Sequence, residues 1–294
     1  MFNTIDEYLD ALKNEMLGND PALLQDALAD AREHLSTALA VVREQNIGLK
    51  EADALKPIIE EYGTPEETAS AYKEVERRTS PALKQPVKSR SWFVRFFGVY
   101  ADARAWGALL YMLIAFVTGV FYFTWAVTGL SLSISFAIFI FGLPFALLFL
   151  LSVRGLALLE GRLVEALLGM RMPRRPLFSH QGMKWFDRLK ALLTDKVTWL
   201  TLIYMFVQFA LGTLYFVLLV TVLSFSLSFI AIPFLQAFFR EPFINLDGAR
   251  YFIPMWSYPL FVLAGFLLWT FFMNIARGIG QLHGRLAKWL LVSE

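Results

Sequence analysis

The chain has 294 residues, 57% of them hydrophobic and only 18% charged, with a formal net charge of +2. That balance lies well off the average for soluble domains. The absence of cysteine excludes disulfides, thiolate catalysis and cysteine metal sites.

Residues 1–80 hold 8 Lys+Arg against 17 Asp+Glu, a net of −9, and the remainder holds 19 against 8, a net of +11. No Asp, Glu, Lys or Arg falls between Arg104 and Arg154, between Lys196 and Arg240, or between Arg250 and Arg277. A helix crossing the hydrocarbon core needs roughly 20 apolar residues. The chain therefore reads as an all-α, polytopic membrane protein with an acidic N-terminal head. Nucleic acid is not expected as the head's direct partner, because phosphate binding needs a basic face. The first 25 residues are polar and lack the apolar core of a cleavable signal.

Residues 1–80 read as three or four short amphipathic helices. Ile5, Leu9, Leu12 and Met16 share one face, and Gly18-Asn19-Asp20 ends that run. Asp20-Pro21 suits an N-cap with proline at the first helical position. Leu24, Leu28, Ala31, Leu35, Ala38 and Val42 carry the next stripe, Gly48 breaks it, and Leu55, Ile58, Ile59 and Tyr62 form a third. In Gly63-Thr64-Pro65-Glu66-Glu67, glycine closes one helix, threonine caps the next, and Glu67 stands at the capping-box position. About eighty residues make a marginal core, so the head is expected to dock on something. Residues 81–97 read as a basic linker, either drawn to anionic headgroups or serving as a plain tether.

Residues 98–294 form the membrane portion. Asp102, Trp106, Tyr111, Gly119, Tyr122-Phe123, Thr128 and Ser131, Ser133 and Ser135 recur 93 positions later as Asp195, Trp199, Tyr204, Gly212, Tyr215-Phe216, Thr221 and Ser224, Ser226 and Ser228. Arg154-Gly155 and Gly161-Arg162-Leu163 recur at an offset of 123 as Arg277-Gly278 and Gly284-Arg285-Leu286. A duplicated helical hairpin is expected, with repeat one over 98–170 and an enlarged repeat two over 190–294. Spans are expected near 106–128 and 133–153, joined by a turn from Thr128 to Ser135, and then near 198–221 and 257–276. On this reading 224–239 stays in or re-enters the outer side. The basic segment 154–196 and the basic tail place both termini in the cytoplasm. An apolar, basic stretch around Trp185, Phe186, Leu189 and Arg188 suits a helix lying in the interface.

No Asp, Glu, Lys, Arg or His falls within these spans, which weighs against pumps, ion-coupled transporters and Schiff-base chromophores. The serines with Tyr122 and Tyr215 either line a pseudosymmetric pocket or satisfy backbone groups freed at turns. The outer loop 239–258 carries Arg240, Glu241, Asp247, Arg250, Tyr251 and Trp256, and is either a binding loop or an interfacial aromatic belt. His34, His180 and His283 are scattered, with none at metal-ligand spacing, and no nucleophile–base arrangement or phosphate loop appears. Neither an enzyme nor a cofactor or metal is expected.

The head, through Glu7-Tyr8-Leu9-Asp10-Ala11-Leu12 and Tyr62-Gly63-Thr64-Pro65-Glu66-Glu67-Thr68-Ala69, resembles the HAAS domain. That module occurs in bacterial membrane proteins, often with PadR-type regulators. Residues 97–292 resemble the "putative sensor" membrane domain of some bacterial histidine kinases, through the two repeats, Gly142-Leu143-Pro144, Arg154-Gly155-Leu156 and Arg277 to Leu286. In those kinases the last helix leads into catalytic machinery, whereas this sequence stops at Glu294. The resemblance implies a non-enzymatic inner-membrane sensor that signals to a cytosolic partner, a transcriptional regulator or a membrane complex, through its head. The alternative is an accessory or structural subunit of a larger membrane complex. Membrane lipids are the other expected partner, and docking of the acidic head on the basic membrane body is expected to rest on weak, salt-screened pairs.

Overall fold

The computed structural model describes residues 2–45, 49–79, 91–136, 139, 142–174, 185–240, 242–247 and 249–292. Among them the chain is helical apart from one two-stranded hairpin. It divides into two compact units, one made of Met1–Lys84, Thr124–Met205 and Gly284–Glu294, the other of Gln85–Phe123 and Phe206–His283.

In the first unit, the head is four helices: α1 (Ile5–Glu15), α2 (Pro21–Gln45), α3 (Glu51–Tyr62) and α4 (Pro65–Thr79). The Asp20 side chain accepts from the Ala22 N–H at 2.9 Å, as its place ahead of Pro21 demands. The capping box forms in both directions, with the Thr64 N–H donating to Glu67 at 2.9 Å and the Glu67 N–H donating to the Thr64 hydroxyl at 3.3 Å. The core stripe of α2 is Leu23, Ala27, Ala31, Leu35 and Leu39; Leu24, Leu28, Ala38 and Val42 only flank it. The predicted stripe thus matches at Ala31 and Leu35 but falls one residue late at Leu24 and Leu28 and one residue early at Ala38. Tyr8 organises the middle of the head, where its buried hydroxyl donates to the Gly63 carbonyl at 2.9 Å and lies 3.1 Å from the Thr68 hydroxyl. Burial raises the Tyr8 pKa, which keeps that hydroxyl a donor. The predicted break at Gly48 and residues 81–90 of the predicted linker lie outside the described residues. The linker's remainder is partly helical, as α5 (Trp92–Phe97).

Four further helices are long and apolar enough to cross a membrane. They are α6 (Ala103–Phe136), α7 (Gly142–Leu168), α9 (Lys196–Phe239) and α10 (Tyr258–Leu291), with α8 (Trp185–Thr194) between α7 and α9. Two predicted boundaries are corrected. The turn expected over Thr128–Ser135 is helix, and α6 ends only at Phe136. The segment 224–239 does not re-enter but continues α9 as helix, with Pro233 inside it. Hydroxyl residues looked like turn markers, yet in an apolar helix they can return their hydroxyl to the preceding turn, as Thr213 does to the Phe209 carbonyl at 2.8 Å.

Contacts at the helix starts recur at the 93-residue offset. Trp106 Nε1 donates to the Tyr100 carbonyl at 2.9 Å, and Trp199 Nε1 donates to the Leu193 carbonyl at 2.8 Å. Asp102 accepts from the Arg104 N–H and Asp195 from the Val197 N–H, both at 3.0 Å. In the second unit α6 and α9 cross at equivalent glycines. A Cβ on Gly119 would lie 2.7 Å from the Gln208 carbonyl oxygen, and one on Gly212 would lie 2.2 Å from that of Ala115. Phe116 stacks on Phe216 at 4.5 Å, and Phe123 stacks on Phe209 at 4.6 Å.

The crossing tolerates no methyl group on either glycine. Gly119→Ala and Gly212→Ala are each expected to cost about 1–3 kcal/mol, read as a lowered thermal midpoint in detergent. Unchanged midpoints would contradict the packing. At the capping box, hydrogen bonds from Thr64 hold the Glu67 carboxyl below its usual range. Such a group contributes stability above its unfolded pKa and loses it as pH falls through its folded value. Amide protection factors over 66–70 should therefore fall as pH drops below about 4, and Glu67→Gln should flatten that dependence.

Candidate functional site

The first unit contains a buried ionic cluster joining head residues to the segment after α7. Gly169, at φ +70, releases the chain from α7 and lets it turn back. Two residues on, Arg171 is 5% exposed and fully engaged. Its Nη2 donates to Asp26 of α2 at 2.8 Å, its Nε to Glu76 of α4 at 3.1 Å, and its Nη1 to the Met172 carbonyl at 2.6 Å. Glu165 of α7 stands 3.7 Å from Nη1. The Arg174 backbone N–H donates to the other oxygen of Asp26 at 2.6 Å, while its guanidinium donates to Glu165 at 2.8 Å. That bond to Glu165 raises the Arg174 pKa and keeps the side chain charged. A second tie lies at the end of α10, where Lys288 Nζ reaches both Asp20 oxygens at 2.6 Å. Removing one partner of a buried pair costs about 3–5 kcal/mol, because the other charge stays behind unpaired. These head contacts are not the exposed, salt-screened pairs expected from the sequence.

Ion pairs also link the two echoes. Arg154 of α7 holds Asp195 and donates to the Thr198 hydroxyl at 2.8 Å. Arg277 of α10, 123 positions later, donates to Asp102 at 3.1 Å.

In the second unit four buried side chains from α6, α9 and α10 form one hydrogen-bonded chain. Gln208 Nε2 donates to the Tyr111 oxygen at 3.2 Å, Tyr111 lies 2.6 Å from His283 Nε2, and Tyr215 lies 3.1 Å from His283 Nδ1. An amide N–H can only donate, so the Tyr111 oxygen accepts from Gln208. In the first unit the equivalent tyrosine, Tyr204, donates to Glu160 at 2.9 Å. Glu160 and His283 are themselves 123 positions apart. From the sequence His283 stood only as a lone histidine without metal-ligand spacing, and Glu160 carried no signal of its own. The charge-free stretches are as read, but α7 and α10 run on past them and carry Glu160 and His283 into buried positions.

A family model described as "Putative sensor" matches residues 111–291. The chain belongs to this sensor family. With four helices of membrane-crossing length and composition, it is a multi-pass membrane protein. No curated protein and no solved structure matches. Within the sensor match lie Arg154, Glu160, Arg171, Tyr204, Gln208, His283 and Lys288, whereas Asp20, Asp26 and Glu76 precede it.

The predicted ligand-site residues fall into a buried set and an exposed set. Tyr122 and Tyr215 are buried, Tyr215 being committed to His283. Arg240, Asp247, Arg250, Tyr251 and Trp256 are exposed on or beside a hairpin of β1 (Ile244–Leu246) and β2 (Ala249–Tyr251), with Asn245 opposite Arg250. Glu241 lies outside the described residues. Among the described residues no ion pair joins Arg240, Asp247 or Arg250. Asp247, at φ +48, occupies the left-handed conformation that an Asp-Gly hairpin turn needs. Gln236 fastens this loop to α9. Its Nε2 donates to the Ile253 carbonyl at 2.6 Å and the Tyr258 hydroxyl at 2.7 Å, and its oxygen accepts from the Ile253 N–H at 2.9 Å. Replacing it strands a buried N–H and a buried carbonyl, at about 1–3 kcal/mol each. Gln236→Leu should speed amide exchange across 244–253 by tenfold or more, roughly what one such loss implies. Unaltered exchange would show that the loop is held by other contacts.

Proposed function

We propose that the chain is a non-enzymatic sensor of the bacterial inner membrane that passes a membrane or envelope signal to a cytosolic protein through its N-terminal head. The observation that carries this reading is Arg171, which follows the membrane-crossing helix α7 and is gripped by carboxylates from two helices of the head. A shift at the end of α7 or α10 changes whether Asp26, Glu76 and Asp20 keep their partners. A buried pair is screened little by salt, so helix movement rather than ionic strength is the natural trigger. On this reading the membrane portion is two copies of one hairpin, supported by the contacts that recur at offsets of 93 and 123. The head is a HAAS-like module with no cofactor, and both termini lie in the cytoplasm, in keeping with the basic segment 154–196.

One observation favours the accessory-subunit alternative. Only 11% of the most apolar window of α9 is buried, against 39% for α6, so α9 offers a long uncovered face to another membrane protein. Purification from native membranes decides between them, since an accessory subunit arrives with a stoichiometric membrane partner.

Because the chain lacks cysteine, single introduced cysteines report topology without background. Asn3→Cys and Arg285→Cys, both at exposed positions, should resist membrane-impermeant thiol reagents in intact cells and react after lysis. In nanodiscs, Arg171→Gln should speed amide exchange in α2 and α4 by at least about a hundredfold, as the cost of a broken buried pair implies. It should also increase recovery of the cytosolic partner. A head equally protected in both proteins would remove the basis of the proposal.

A further inference from the structure

Asp26 does not rest on an open basic surface. Its two carboxylate oxygens are held separately, Oδ2 by Arg171 Nη2 at 2.8 Å and Oδ1 by the Arg174 backbone N–H at 2.6 Å. Arg171 and Asp26 are only 5% and 6% exposed. A guanidinium and a main-chain N–H converging on two oxygens of one anion is the recognition geometry of a phosphate group. The anion in that cradle belongs to the head. So does Glu76 on Arg171 Nε, and of the three carboxylates around Arg171 only Glu165 belongs to the membrane portion. Once the head leaves, two arginines face a single acid in a position shaped for an anion. The cradle also begins within six residues of Leu168, the last residue of membrane-crossing α7. Basic clusters directly beside a membrane helix meet anionic headgroups.

We propose that Arg171 and the Arg174 N–H form a phosphate site, that its ligand is the headgroup phosphate of an anionic phospholipid, and that Asp26 occupies it as a built-in stand-in while the head is docked. Head and lipid then compete for one cradle, and the anionic lipid content of the inner leaflet sets the docked fraction. The proposal rests on the reading that the head can leave. It adds what replaces the head when it does.

The test uses full-length protein in nanodiscs of phosphatidylcholine alone or with phosphatidylglycerol. Two quantities are read: phosphatidylglycerol retained per protein by native mass spectrometry, and amide exchange in α2. Asp26→Ala vacates the cradle and should raise retained phosphatidylglycerol about tenfold, the weight of one charge-assisted contact. Arg171→Gln should abolish that gain, and Arg171→Lys, which keeps the charge and guards against simple misfolding, should restore part of it. In the wild type, α2 exchange should rise with the phosphatidylglycerol fraction. Equal retention by wild type, Asp26→Ala and Arg171→Gln overturns the site. Inorganic phosphate releasing α2 equally well in phosphatidylcholine discs overturns the lipid assignment in favour of a soluble anion. Retention by Asp26→Ala is independent of head movement. A rise there with a head that never loosens in the wild type therefore supports the cradle and counts against the signalling proposal alone.

Discussion

Charge placed beside hydrocarbon has to be matched, and most of this architecture follows from how the matching is done. Asp102 opens α6 and is held by Arg277 of α10; Asp195 opens α9 and is held by Arg154 of α7. Each aspartate also accepts from the backbone N–H two residues on, so one carboxylate starts a helix and ties down another. Arg171 applies the same logic to the head, with carboxylates from three helices surrounding one guanidinium. Arg171 and Asp26 are buried together, so that junction holds as a whole arrangement or comes apart as a whole.

Positions 160 and 283 stand 123 residues apart, at the spacing of the second sequence echo. Each receives a tyrosine hydroxyl, from Tyr204 and Tyr111 respectively, yet one is a carboxylic acid and the other an imidazole. The surrounding frame of tyrosine and glycine is common to both, while the chemistry at the centre differs. His283 also meets Tyr215, and Tyr111 is linked on to Gln208.

Much of the fold was legible because it is written in one-dimensional signals. Helix caps such as Asp20-Pro21 and Thr64 to Glu67 announce themselves locally, and charge-free stretches reveal membrane helices by composition alone. The ends of those helices were less legible, because serine and threonine serve turns and apolar helices alike; hence α6 overran its predicted turn and α9 absorbed 224–239. The candidate site was harder still. Asp26 looked like one acid among seventeen, and Arg171 like one cation among nine, since only folding brings α2, α4 and the turn after α7 together. One signal was available and unused. Applying the two repeat offsets to Tyr111 and His283 yields Tyr204 and Glu160, a pairing that would have marked both residues.

The length of α9 carries a mechanical corollary. Its 44 residues extend for about 66 Å at the α-helical rise, more than twice the roughly 30 Å of a bilayer's apolar layer. An upright rod of that size would push many phenylalanines and leucines into water, so leaning over is the less costly posture, and the lean steepens as the surrounding bilayer thins. Asp195 sits immediately before the first residue of this rod and grips Arg154. Variation in bilayer thickness therefore acts on α9 as on a lever arm, with its fulcrum beside a charged clasp.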